Sequence, residues 1–140
     1  FADAGILGKY NLTSGGYYLY LARLVQDKNP DYLIRAFLKA NLVDAKLVIA
    51  GSNDADIKYV DYLHNLANGD DRVIFTGAVY GLDKETLLKN CGVFCIPSTI
   101  EGLAITLLEA MSYAVPVIAS DIQANKEGLG NNGIWVSAED

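Results

Sequence analysis

Four charged side chains in this 140-residue sequence stand at spacings that suit an anion and a polyol. Arg23 and Lys28 share the stretch Arg23-Leu24-Val25-Gln26-Asp27-Lys28, just ahead of Asn29-Pro30. A diphosphate needs fixed positive charge and hydrogen-bond donors, and a planar guanidinium fork beside a compact ammonium supplies both. The same pair would also serve as two solvated surface cations. Glu101 and Glu109 lie eight positions apart around an apolar run, Gly102 to Met111, in which seven of the ten residues are apolar. If that run is helical, the two carboxylates stand roughly 12 Å apart along the axis, at about 1.5 Å per residue. That is too far to act as an acid–base pair on one bond, and about the span of a nucleotide sugar. The amides near Leu103 and Ala104, at a helix start, would favour its negative charge. Taken singly, Glu101 reads equally as a carboxylate favoured by the helix dipole, and Glu109 as a buried ion pair with an Arg or Lys from another element.

The remaining reactive side chains point to no chemistry. Cys91 and Cys95 flank Gly-Val-Phe, and His64 is the sole histidine, so a zinc site lacks ligands. The two thiols are expected as small core residues in a reducing, cytoplasmic setting, and His64 as a solvated surface side chain.

The elements that must position these groups follow from alternation. Apolar runs recur at Tyr17–Ala22, Lys46–Ala50, Val73–Thr76, Val93–Pro97, Val117–Ser120 and Ile134–Ser137, each short enough for a buried strand. Helical patterns fall between them at 30–40, 56–68, 84–90, 102–113 and, more faintly, 122–128. The first helix has Asn29 as N-cap and Pro30 at its first position. The helix after Gly102 is apolar on all sides of its wheel, so it is expected to be mostly buried. The sum is an α/β fold: a Rossmann-like open parallel sheet of about six strands with helices on both faces. Ligands then bind beyond the carboxyl ends of the strands, where Arg23, Lys28 and the 97–104 loop fall.

Residues 1–16, with Gly5, Gly8 and Ser14-Gly15-Gly16, read as a lead-in segment or interdomain linker. Residues 17–140 read as one domain and as a piece of a larger protein, because the helix expected after the last strand is missing. With 51% hydrophobic residues the chain can bury a sizeable core, and no run approaches the ~18 apolar residues of a membrane span. The start has no signal-peptide layout. A net charge of −6 argues against nucleic acid, so an anionic ligand must meet local positive charge.

From Tyr17 onward the sequence resembles the C-terminal, donor-binding domain of retaining glycosyltransferases of the GT-B fold, glycosyltransferase family 4 (group 1). The carriers are Ala22-Arg23-Leu24 with Lys28, Val48-Ile49-Ala50-Gly51, Arg72-Val73-Ile74-Phe75-Thr76-Gly77 and the stretch Pro97 to Met111 with both glutamates, followed by Pro116-Val117-Ile118-Ala119-Ser120-Asp121. The resemblance implies a nucleoside-diphosphate sugar as substrate, a UDP-sugar foremost, with no cofactor and no bound divalent metal. It implies that Arg23 and Lys28 hold the diphosphate and stabilise the departing nucleotide, that Glu101 contacts the donor sugar and that Glu109 accepts from the ribose hydroxyls. The amides of Gly102, Leu103, Ala104 and Ile105 and the Thr106 hydroxyl would lie near sugar and phosphates, and the base would stack near Ala78, Val79 and Tyr80. A carbohydrate or lipid-linked acceptor would be held by an N-terminal domain, which would also carry any association with the cytoplasmic membrane face. This chain alone would then bind nucleotide without transferring sugar.

The family's usual glycines are replaced by Ala22, Ala104 and Ala114. At Ala104 the added methyl group bears on donor-sugar fit, and at Ala114 it costs roughly 1 kcal/mol if the backbone there is left-handed. Two rival readings stand beside this one. One is a non-catalytic, epimerase-type or phosphorylase-type domain of the same fold; the other is an acidic receiver module, which would need an acidic cluster after the first strand, where Arg23 stands instead.

Overall fold

The computed structural model describes residues 2–98, 105–120 and 134–136. The expected helix at 122–128, together with Glu101, Gly102, Leu103, Ala104 and Asp121, lies outside the described residues.

All six expected strands form. They are β1 (Tyr17–Leu21), β2 (Lys46–Ala50), β3 (Val73–Gly77), β4 (Val93–Ile96), β5 (Val117–Ser120) and β6 (Ile134–Val136). The helices are α1 (Ala2–Lys9), α2 (Pro30–Ala40), α3 (Ile57–Ala67), α4 (Gly81–Asn90) and α5 (Ile105–Ser112), with a 3-10 turn at Gln26–Lys28. The strands pair in parallel in the order β3-β2-β1-β4-β5-β6. This is the doubly wound 3-2-1-4-5-6 order, and it excludes the receiver module, whose sheet runs 2-1-3-4-5. The order reverses between β1 and β4, which opens a crevice at their carboxyl ends.

Strand alternation builds two cores. Tyr17 and Leu19 of β1 and Val48 and Ala50 of β2 face one side, packing with Leu7 of α1, Leu87 and Leu88 of α4 and Leu107 and Ala110 of α5. Tyr20, Leu47 and Ile49 face the other, against Ile34 and Phe37 of α2 and Leu63 and Ala67 of α3. Because both faces are covered, these strands read as continuous apolar runs. Tyr17 is buried and donates its hydroxyl proton to the Leu87 carbonyl at 2.6 Å, so its polar atom costs the core little.

Three elements depart from the sequence reading. Helix α1 forms where only a lead-in segment was expected. Its two glycines weaken it, but Leu7 is buried in the core and Lys9 reaches Asp83 of α4 at 3.2 Å. Helix α4 begins at Gly81, three residues earlier than expected, and its first residue stands at φ +55°, a conformation glycine adopts without steric cost. Helix α5 is not buried all round: Leu107 and Ala110 are inside, whereas Leu108 is 43% exposed. Its end is the left-handed one anticipated at Ala114, with φ +58° and the Ala114 and Val115 amides donating to the carbonyls of Met111 and Ala110. This is a Schellman closure with a β-carbon where glycine is favoured.

Cys91 and Cys95 are free thiols inside the core, and burial pushes both up to about 12. His64 is exposed and stacks on Phe75 with ring centroids 3.9 Å apart. Among the described residues, no helix is long and apolar enough to cross a membrane.

Candidate functional site

The carboxyl ends of β1 and β2 are bound together past the last strand residues. The Ala22 amide donates to the Ala50 carbonyl and the Leu24 amide to the Ser52 carbonyl, each at 3.2 Å. Asn53, nearly buried, donates from Nδ2 to the Leu24 carbonyl at 3.1 Å while its Oδ1 accepts from the Ala55 amide. Gly51 is required at this seam. A β-carbon there would stand 3.0 Å from the Ala22 carbonyl carbon and far too close to its oxygen. Tyr20 fixes the next residue by donating to the Arg23 carbonyl at 2.5 Å.

This seam floors a cleft of about 290 Å³. It is lined by Ala22, Arg23, Gly51 and Ser52 together with Ala78, Val79, Tyr80, Lys84 and Thr106. Among the described residues its charged lining is two cations, Arg23 and Lys84, in a chain of net charge −6. That is a local positive site fit for an anion. Tyr80, 78% exposed at the rim, presents a ring to whatever enters.

The structure brings Arg23, Val79, Tyr80 and Thr106 to this one cleft. Lys28 sits half-buried in the 3-10 turn and does not line it. Of the candidate amides, that of Ile105 opens α5; those of Gly102, Leu103 and Ala104 and the carboxylate of Glu101 lie outside the described residues. Asn29 occupies the N-cap position of α2 without capping it; it adopts φ +54° and donates from Nδ2 to the Pro97 carbonyl at 2.9 Å. That bond ties the loop after β1 to the loop after β4, across the point where the sheet order reverses.

Glu109 differs from expectation. It is not buried: its side chain is 38% exposed, and Oε1 lies 3.6 Å from Nζ of Lys84. The ion pair with a cation from another element is thus present, though about a third of each side chain is in solvent. That cation is itself part of the cleft wall, so the carboxylate stands beside the cleft. The sequence reading missed Lys84, because nothing in its own stretch marks it; only the packing of α4 against α5 places it here.

A second cavity, of about 230 Å³, lies on the α2 face among Tyr18, Leu33, Phe37, Leu47, Cys95 and Ile118. Its lining is apolar and holds no charged side chain, so it offers an anion nothing.

The family model for glycosyl transferases group 1 matches residues 9–140. The chain belongs to the group 1 glycosyl transferases. It is 40% identical over 84% of its length to an uncharacterized glycosyltransferase of Methanocaldococcus jannaschii, spanning 31% of that protein. It is 32% identical over 94% of its length to the GDP-mannose-dependent alpha-(1-6)-phosphatidylinositol monomannoside mannosyltransferase of Mycobacterium tuberculosis, spanning 38% of that enzyme. This group 1 chain therefore covers about a third of these curated relatives. In fold it is similar to Anabaena Alr3699/HepE, solved in complex with UDP-glucose, with a TM-score of 0.84 at 22% identity over 96% of this chain and 38% of that one. The group 1 domain thus has the Rossmann-like half of a GT-B architecture, as the resemblance implied.

Proposed function

We propose that this domain is the donor-binding half of a glycosyltransferase that moves a sugar from a nucleoside-diphosphate sugar to an acceptor, with retention at the anomeric carbon. One observation carries the reading: a cationic cleft at the carboxyl ends of β1 and β2, beside the reversal of strand order. In it Arg23, joined by Lys28 from the adjoining turn, binds the diphosphate and stabilises charge on the departing nucleoside diphosphate. Glu101 meets the donor sugar and Glu109 the ribose hydroxyls. The amides from Gly102 to Ile105 and the Thr106 hydroxyl reach sugar and phosphates, and the base stacks against Val79 and Tyr80. Cations do this work without a bound divalent metal or a cofactor. UDP is the first choice of nucleotide, since a fold neighbour carries UDP-glucose; GDP is next, since a relative is named for GDP-mannose.

The acceptor, a carbohydrate or a lipid-linked one, belongs on a further domain facing this cleft, and that domain carries any contact with the cytoplasmic membrane face. The 140-residue chain alone therefore binds donor without transferring sugar. Calorimetric titration with UDP, GDP and ADP tests the site. Arg23→Ala and Glu109→Ala each weaken the preferred nucleotide by roughly 1.5–3 kcal/mol, the scale of a hydrogen bond to a charged group. Unchanged affinity in both removes the assignment, and sugar transfer by the isolated chain contradicts the division of labour.

A further inference from the structure

Helix α4 enters the cleft wall held from two sides. Asp83 accepts from Lys9 Nζ at 3.2 Å and from the Tyr10 hydroxyl at 3.4 Å, which ties the first turn of α4 to the N-terminal segment. The next residue, about 100° further round the helix, is Lys84, which lines the cleft and lies 3.6 Å from Glu109 of α5. Strong charge-assisted bonds run to roughly 2.7–2.9 Å. At 3.6 Å, with about a third of each side chain in solvent, this contact is loose. It leaves most of the carboxylate's acceptor sites open.

Building on the donor-site reading above, we propose that Lys84 is a positioning residue for nucleotide recognition: it holds the Glu109 carboxylate at the cleft edge, where the vicinal hydroxyls of a nucleoside-diphosphate ribose meet it. An ionised carboxylate has about four lone-pair sites, so it accepts from two hydroxyls and an ammonium at once. The ion pair does not have to break when ribose enters. Without the ammonium, the Glu109 carboxylate loses the contact that orients it, and ordering it is charged against binding.

The test titrates UDP and 2′,3′-dideoxy-UDP into the 140-residue chain and its Lys84→Gln, Lys84→Arg and Glu109→Gln variants, using the GDP pair if guanosine binds more tightly. Thermal unfolding of each variant checks the fold. Lys84→Gln is expected to weaken UDP about five-fold, which is ~1 kcal/mol, and to leave the dideoxy nucleotide unchanged. Lys84→Arg restores UDP to within about two-fold, because the charge and reach are kept. Equal loss for both nucleotides overturns the proposal, since Lys84 then meets phosphate or base itself; no loss for either overturns it too. A wild-type chain that binds both nucleotides equally fails at Glu109, and one that binds neither fails at the donor site, each of which takes the proposal with it. Failure of Lys84 alone is distinct: the wild type prefers UDP and the Lys84→Gln variant keeps that preference.

Discussion

The two ends of the sheet use the same side chains to opposite ends. At the amino end, Arg72 is consumed: Nη2 and Nε donate to the two oxygens of Asp70 at 2.7 and 3.0 Å, and Nη1 donates to the Leu42 carbonyl at 2.9 Å and to Asn41 Oδ1 at 3.2 Å. Lys46 likewise donates to the Asn11 carbonyl at 2.6 Å. At the carboxyl end, Arg23 and Lys84 instead line an open cleft, and the ion pair of Lys84 with Glu109 is loose. Cations satisfied by fixed acceptors serve the fold. A cation turned into the cleft, as Arg23 is, is set for an outside anion, and Lys84 beside it is set to hold Glu109.

Three substitutions sharpen this contrast. The largest effect is expected at the floor of the cleft, where Gly51→Ala drives a methyl group into the Ala22 carbonyl and no flexible side chain can yield. Denaturant unfolding should show a loss of about 3 kcal/mol, with nucleotide affinity falling in parallel because the seam between β1 and β2 opens. Retained stability and affinity would mean the floor is softer than its geometry.

Away from the cleft, Ala114→Gly should stabilise the domain by about 1 kcal/mol, since it removes a β-carbon from a left-handed residue. Nucleotide affinity should not move. The same denaturant curves check both statements.

The smallest effect is one of pH. Arg72 hydrogen bonds, from its side chain first and its backbone amide second, hold Asp70 at about 2 against an ordinary 3.8. A carboxylate depressed in the folded state adds stability that is fully present above its unfolded value and is lost as pH falls through the folded one. Wild-type stability should therefore fall between about pH 4 and pH 2 more steeply than that of Asp70→Asn. Nucleotide titration at pH 7 should not distinguish the two proteins. Parallel acid curves would mean that the amino end is not closed by this pair.

What could be read in advance differs between the sheet and its ends. The six strands were legible because strands buried on both faces must be apolar throughout, as Leu47-Val48-Ile49-Ala50 is. Helix α2 was legible through Pro30, which presets the first turn. Helix α1 was not, since its glycines oppose a helix and its support comes from Asp83, 74 positions from Lys9. At the site, Arg23 could be read from its place after a strand, and Thr106 came only with the family resemblance. Lys84 carried no local mark.

The sequence by itself determined the alternation of elements, the order in which they follow, and the family. Each of these is written in residue type at short range, where burial and backbone geometry act on neighbours. Only the tertiary structure decided which cations remain available to a ligand and that Glu109 pairs with Lys84 while partly exposed. Charge pairing depends on distance in space, and the chain brings Lys84 of α4 against Glu109 of α5 although they stand 25 positions apart in sequence.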